Sequence, residues 1–422
     1  MGHLAGQAGH WLLRFVFLYP LFMSYLWMIG ALLFRAQHER DARPFAQPER
    51  NVVTPPVSVL IPCYNEGENV EETLTHALAL DYPDFEVIAI NDGSGDSTGE
   101  MLDRLCALHP RLRVAHLARN QGKAMALQAG ALLARHDLLI GIDGDALLDA
   151  HAAYWMVRHF VAEPQVGAVT GNPRVRNRST LLGRVQVGEF SSIVGMIKRA
   201  QQSFGRLFTV SGVITAFRRS AVHQVGYWSP DMLTEDIDVT WKLQRAGWKV
   251  RFEPNALVWI LMPETLRGLW KQRLRWAKGG AQVLRKNFQV LWHPRERFMW
   301  PLLIEMCASV FWSYLMLASA LLWVFDLLVP AVSFPTLGSP FVPYGPGLLL
   351  GATCLLQFAL SKWLDSRYES GLGRNYYWMI WYPAVFWVIN LATTVVAYPQ
   401  VFWGARGQRA RWISPDRGVR PG

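Results

Sequence analysis

The sequence predicts an α/β fold, a doubly wound sheet of parallel strands set between membrane-spanning helices. Three observations predict it. Short apolar runs alternate with amphipathic stretches between residues 51 and 265, the pattern of strand–helix units in a parallel sheet. The polar residues of that region collect at the ends of the apolar runs, where open α/β sheets bind ligands. Uncharged apolar stretches of spanning length stand on both sides of it.

The chain of 422 residues is 51% hydrophobic, carries a formal net charge of +10 and contains 19 Trp. That length holds one large soluble domain and several spans, and the aromatic rings suit membrane–water interfaces. Many cations flank apolar runs, which favours a lipid bilayer or an anionic substrate and speaks against nucleic acid. Cys63, Cys106, Cys307 and Cys354 have neither metal nor disulfide spacing and read as buried thiols. The first run, "FVFLYPLFMSYLWMIGALLF" (15–34), is long enough to cross a bilayer. It has no cleavage site after a short apolar core, so 1–35 reads as an anchor. Arg35, Arg40, Arg43 and Arg50 follow, placing this end on the cytoplasmic side.

A soluble domain is expected over 51–265. "PVSVLIPCYNE" (56–66) is a strand running into a polar turn, and "NVEETLTHALAL" (69–80) is its helix. "FEVIAIND" (85–92) is a second strand ending in Asn91 and Asp92, followed by "GSGDST" and a helix over 98–108. "LRVAHLA" (112–118) is a third, and "RNQGKAMALQAGALLAR" then turns into a helix. "DLLIGIDGD" (137–145) is the fourth. Tyr64, Asn65 and Glu66, Asn91–Asp92, Asn120–Lys123 and Asp143–Asp145 therefore all fall on one sheet edge.

Taken singly, Asp92 or Asp96 reads equally well as a turn residue. The pair Asp143 and Asp145 is different, because two carboxylates after a buried strand repel unless something positive lies between them. A divalent cation holding a diphosphate, Mg²⁺ or Mn²⁺, satisfies that requirement. A sugar-nucleotide transferase needs such a site, since its leaving diphosphate develops charge. Asp149 reads as a helix cap.

"MLTEDIDVTWKLQRAGWKV" (232–250) sets Glu235, Asp236 and Asp238 before an amphipathic helix. Asp238 reads as an acid favoured by the helix dipole. An attacking hydroxyl must lose its proton, and Asp236 is the candidate base, with Glu235 orienting it. In "FTVSGVITAFRRSAV" (208–222), Ser211 and Gly212 form either a plain β-turn or a point where an acceptor approaches the backbone closely. "LRGLWKQRLRWAKGGAQVLRKNFQVLW" (266–292) carries an apolar stripe through Trp270, Leu274, Ala277, Ala281, Leu284, Phe288 and Leu291. Nine Lys/Arg against Glu296 alone within 267–297 mark the region 266–297 as an amphipathic helix on an anionic membrane surface. Gln272, Arg275 and Trp276 fall opposite the stripe. Arg275 alone reads as a solvated or lipid-facing cation; with Trp276 on the polar face, the pair suits a phosphate and an acceptor sugar.

Apolar runs at about 300–329, 346–361 and 376–398 make 300–398 a second spanning region, four spans in all, followed by a basic tail over 399–422. Three late crossings would put the tail on the face opposite the domain. Its five Arg against one Asp favour the domain's own face, unless the Pro383-containing segment does not cross fully.

In this order, "IPCYNE", "NDGSGDST", "DGD", "TED" and "QRLRW" resemble the processive family 2 glycosyltransferases, which include cellulose, chitin and hyaluronan synthases. The resemblance is closer still to the bacterial poly-β-1,6-N-acetyl-D-glucosamine synthases. "GAVTGNPRVRNRSTLLGRVQVGEFSSIVG", "SGVITAFRRSAV", "ILMPETLRGLWKQRLRWAKGGAQV" and "QRARWISPDRG" extend that resemblance along nearly the whole chain. It implies a GT-A (Rossmann-like) cytosolic domain between transmembrane helices in a bacterial inner membrane. It also implies UDP-N-acetylglucosamine as donor, and inversion to a β-1,6-linked polysaccharide extruded through the enzyme's own spans for a biofilm matrix. Carried over by position, Asp92 would contact the uracil and Asp143 the diphosphate. Asp145 would ligate the metal, with Asp143 beside it, and Asp236 would be the base for the incoming 6-hydroxyl. Tyr64, Asn65, Glu66 and Lys123 would complete the donor site, and Ser211, Gly212, Gln272, Arg275 and Trp276 the acceptor and pyrophosphate end. A small membrane-protein partner is implied as well. Gly95 departs from the Thr more usual there, and one N-terminal span is found where relatives can have two. The rival readings are another β-polysaccharide, transfer of a single sugar to a lipid carrier, and an inactive membrane scaffold. No residue, read physically, separates N-acetylglucosamine from glucose.

Overall fold

The structure is a computed structural model and describes residues 2–40, 45–49, 52–329, 346–404, 407 and 409–410. The first half reads α1 (Gly2–His38), β1 (Val57–Cys63), α2 (Val70–Leu78), β2 (Phe85–Asn91), α3 (Thr98–Leu108), β3 (Leu112–His116), α4 (Lys123–Leu133) and β4 (Leu138–Ile142). Then come β5 (Leu147–Leu148), α5 (Ala152–Ala162), β6 (Val166–Val175), α6 (Leu181–Phe190), α7 (Ile197–Ser203), β7 (Ile214–Arg218), α8 (Arg219–Gln224), α9 (Glu235–Arg245) and β8 (Lys249–Ile260). Last are α10 (Leu266–Asn287), α11 (Trp300–Leu328), α12 (Pro346–Asp365) and α13 (Val388–Phe402).

The strands form one sheet in the order β3-β2-β1-β4-β7-β6-β8-β5. The predicted parallel arrangement holds from β3 through β4, where β1 pairs in parallel with both β2 and β4. It then changes, because β7 runs antiparallel to both β4 and β6. Every residue of β1 and β2 is buried, as expected for strands with helices over both faces. Their side chains alternate. Val59 and Ile61 enter one core with Val70, Leu74 and Leu102, while Leu60 enters the opposite one with Ala126, Leu127 and Phe217.

By length and composition, Trp11–His38, Pro294–Leu328, Gly347–Asp365 and Val385–Phe402 could each cross a membrane. The domain is bolted to two of these segments by buried ions. Arg174 on β6 pairs with Asp365 at 2.5 Å and Glu369 at 2.7 Å, and Arg199 on α7 pairs with Glu39 at 3.0 Å and Asp365 at 2.9 Å. Gly195 passes so close that a Cβ there would lie 2.5 Å from Asp365 Oδ2.

The last apolar segment packs along α10. α13 runs alongside α10 in the same direction: Arg273 lies 5.8 Å from the Phe386 ring, and further on Arg285 Nη1 donates to the Val401 carbonyl at 2.5 Å. The chain then returns to the domain, where the Ala410 N–H donates to the Pro230 carbonyl at 2.9 Å. The tail's start thus meets the domain. The rest of the tail (411–422) and most of the uncharged linker (330–345) lie outside the described residues.

Candidate active site

Turns from the parallel half meet α9 and α10 at one edge of the sheet. The turns after β1 and β2 are laced together. The Asn65 N–H donates to Ser94 Oγ at 3.0 Å, Asn65 Oδ1 accepts from the Gly95 N–H at 2.9 Å, and the Gly67 N–H donates to Asp96 Oδ2 at 3.0 Å. Tyr64 and Asn65 are accessible at this edge, whereas Glu66 is 1% exposed and accepts from Asn69 Nδ2. Glu66 therefore supports the turn from beneath.

Asp92 is fully buried, and its two oxygens accept the backbone N–H groups of Gln121 and Gly122, each at 2.8 Å. Burial pushes its carboxyl upward and those two hydrogen bonds pull it back. These two bonds also order the turn that delivers Lys123.

Lys123 opens α4. Its Nζ lies 2.5 Å from Asp143 Oδ1 and 3.3 Å from Glu235 Oε1, and donates to the Gly212 carbonyl at 2.9 Å. Burial alone would lower its pKa, but Asp143 and Glu235 raise it overall, so it stays an ammonium. Of the two acids after β4, Asp143 is the one paired with this lysine. Asp143 and Asp145 remain half-buried at the end of β4, and Asp149 accepts from the His151 N–H just ahead of α5, consistent with a cap.

Glu235 and Asp236 begin α9. Asp236 Oδ2 accepts from the Gly212 N–H at 3.2 Å and Oδ1 from the Ile237 N–H at 2.9 Å. Burial first, then Glu235, push its carboxyl up to about 6, against the pull of Lys123, the Ile237 N–H and Lys198. A Cβ on Gly212 would sit 3.1 Å from Asp236 Oδ2 and 3.3 Å from Lys123 Nζ. The small Ser211–Gly212 turn is therefore what lets Asp236 and Lys123 approach the same backbone. Asp238 is not the solvent-facing helix-dipole acid it resembles. It is fully buried, accepts from Ser229 Oγ and pairs with Lys286 Nζ at 2.6 Å, tying α9 to α10.

Thr265 Oγ1 accepts from the Gly268 N–H and caps α10. The helix is less one-sided than its apolar stripe suggests. Arg273, Gly279 and Asn287 are buried, while Trp270, Leu274 and Ala277 are half-buried and Phe288 is exposed, because α13 and α9 cover α10 from different sides. Arg275 reaches a cleft shared with Lys123, Met232, Glu235 and Ala410. Gln272 and Trp276 are not among the residues that line it: Gln272 Nε2 lies 3.9 Å from Met262 Sδ, and Trp276 packs against the main core. Sequence reasoning overlooked the link of Glu235 to Lys123 and the return of Ala410 to the cleft, neither of which leaves a local signal.

Residues 55–279 match the family model described as "Glycosyltransferase like family 2". The chain is similar to the poly-beta-1,6-N-acetyl-D-glucosamine synthase of Staphylococcus epidermidis, 38% identical over 96% of this chain and 98% of that protein. It is similar to the synthase of the same name from Staphylococcus aureus, 40% identical over 96% and 98% of the two chains. Among solved structures, its fold is similar to that of a mannosyltransferase from Pyrobaculum calidifontis in complex with GDP-Man and Mn²⁺. The TM-score is 0.60 and the identity 19%, over 93% of this chain and 99% of that one.

Proposed function

The chain belongs to glycosyltransferase family 2, and from that premise we propose that it is a membrane-embedded, inverting N-acetylglucosaminyltransferase. It polymerises UDP-N-acetylglucosamine into poly-β-1,6-N-acetyl-D-glucosamine. One observation carries the reading: Lys123 pairs with both Asp143 and Glu235, so the diphosphate end and the base end of one displacement adjoin. The printed names of the staphylococcal relatives supply the sugar and the linkage.

In the reaction, Asp236 takes the proton of the acceptor's 6-hydroxyl as that oxygen attacks the anomeric carbon. The bond from that carbon to the diphosphate oxygen breaks on the opposite face, and its electron pair leaves with UDP. Lys123 and Arg275 stand where that negative charge develops. No second nucleophilic carboxylate is required, in keeping with inversion. Among the described residues no group of three or more His, Cys, Asp or Glu could hold a metal ion. The pair of accessible acids Asp143 and Asp145 instead suits an ion that takes one or two protein carboxylates and completes its shell on phosphate oxygens. Mg²⁺ or Mn²⁺ held there would neutralise charge on the departing diphosphate.

Placement in a bacterial inner membrane with the domain in the cytoplasm belongs to the same proposal, as do export of the polymer for a biofilm matrix and a small membrane-protein partner. Label transfer from a panel of UDP-sugars, followed by sizing and linkage analysis, tests it. A long β-1,6-linked N-acetylglucosamine polymer is expected. Glycolipid without polymer, or preference for another UDP-sugar, overturns it.

A further inference from the structure

Between Gln272 and Arg275 stands Arg273, a residue the reaction above leaves without a role. It is 5% exposed, the guanidinium lies 4.4 Å from the centre of the Trp276 ring, and Phe386 lies 5.8 Å away on a different element. Arg273 Nη2 donates to Glu189 Oε2 at 2.5 Å, and Tyr382 Oη donates to Glu189 Oε1 at 3.2 Å. Glu189 and Tyr382 are themselves buried. Three chain segments, α6, α10 and the stretch leading into α13, therefore converge behind one tryptophan.

Stability alone does not account for this arrangement. Buried ion pairs are commonly replaced by apolar residues of similar volume with no loss, and Arg273 Nε has no acceptor among the described residues. A flat cation over an aromatic face does something an aliphatic side chain cannot. It holds the ring by its quadrupole as well as by contact, and fixes its plane.

We propose that Arg273 is a positioning residue for chain elongation: anchored by Glu189 and Tyr382, it holds the Trp276 ring in the plane on which the growing sugar chain rests. The proposal rests on the reading of Trp276 as the acceptor platform. Arg273 touches neither donor nor base, so its loss should disturb the acceptor end alone.

The test uses the full-length enzyme in lipid nanodiscs with UDP-N-acetylglucosamine and Mg²⁺. It follows polymer length, polymer rate, donor KM and the release of UDP by hydrolysis. Trp276→Ala is expected to cut the polymer rate about tenfold or more, as misplacement of a reacting group does. Arg273→Met is expected to act like it, with short chains, while donor KM and hydrolysis stay within about twofold of the parent. Arg273→Lys keeps the pairing with Glu189 but loses the flat face, and should give chains of intermediate length. Combining Arg273→Met with Trp276→Ala should be no worse than the poorer single variant. If Arg273→Met elongates normally, adds fully to Trp276→Ala, or raises donor KM in step, the Arg273 proposal falls and the platform reading survives. If Trp276→Ala itself elongates normally, the platform reading falls and takes the proposal with it. Should Arg273→Met not assemble, Arg273→Lys decides: full-length chains from it overturn the proposal.

Discussion

Lys123 and Asp143 form an ion pair 2.5 Å long, and the same ammonium reaches Glu235 at 3.3 Å. One side chain thus neutralises acids from two distant parts of the sequence. Its removal leaves Asp143, Glu235 and Asp236 facing one another. Lys123→Met should lower turnover by about 100-fold or more, the usual scale for losing a preorganised charge at a developing anion. Lys123→Arg should retain part of it. Initial rates of UDP release check this, and a Met variant within severalfold of the parent would remove Lys123 from the reaction.

With Asp236 as the proposed base, the rate should depend on pH. Its carboxyl is pushed up to about 6 by burial and by Glu235, and only the ionised form can take a proton. Activity should therefore be full above that value and fall as pH drops through it. Lys198, whose Nζ donates to Thr170 Oγ1 at 3.2 Å, is one of the groups pulling Asp236 down. Lys198→Met should move the acid limb to higher pH. A profile of kcat/KM against pH for both proteins reads it directly; a limb that stays in place after the substitution argues against Asp236 as the base.

Much of this site is legible in the residues themselves, for a physical reason. Strands such as "VSVLIPC" are buried on both faces, so they read as unbroken apolar runs, and the polar residues after them mark the sheet edge. Asp238 shows where such reading stops. An acid in the first turn of a helix resembles a dipole acid, and only the approach of Lys286 from α10 makes it a link between helices. The last apolar segment teaches the same lesson, since nothing in its hydropathy says that it packs along α10. The antiparallel entry of β7 next to β4 likewise has no local signal, because strand direction is decided by the connection and not by the strand.

Gly95 lies in the turn after β2, its N–H donating to Asn65 Oδ1. A Cβ there meets nothing within 4 Å, and its φ is not in the left-handed region. Gly95→Thr should fold and retain full activity. Stiffening the unfolded chain at an unstrained position adds about 0.4–1 kcal/mol. A thermal melt together with a rate assay checks both; a loss of activity would show that the turn's flexibility is used.

Gly279 is the opposite case. A Cβ there would lie 2.1 Å from Thr234 Oγ1 and 2.4 Å from Thr234 Cγ2, so α10 and the residue before Glu235 touch without any spare room. Gln282 reinforces the contact, its Oε1 accepting from the Leu233 N–H at 2.9 Å. Gly279→Ala should cost about 1–3 kcal/mol, the usual range for overpacking a tight contact, and should displace the segment carrying Glu235 and Asp236. A lowered melting temperature is therefore expected together with a fall in kcat. Thr234→Ala removes both of the closest atoms and should restore part of each in the double variant. If Gly279→Ala loses stability but keeps its kcat, the contact holds the two helices together without setting the position of the base.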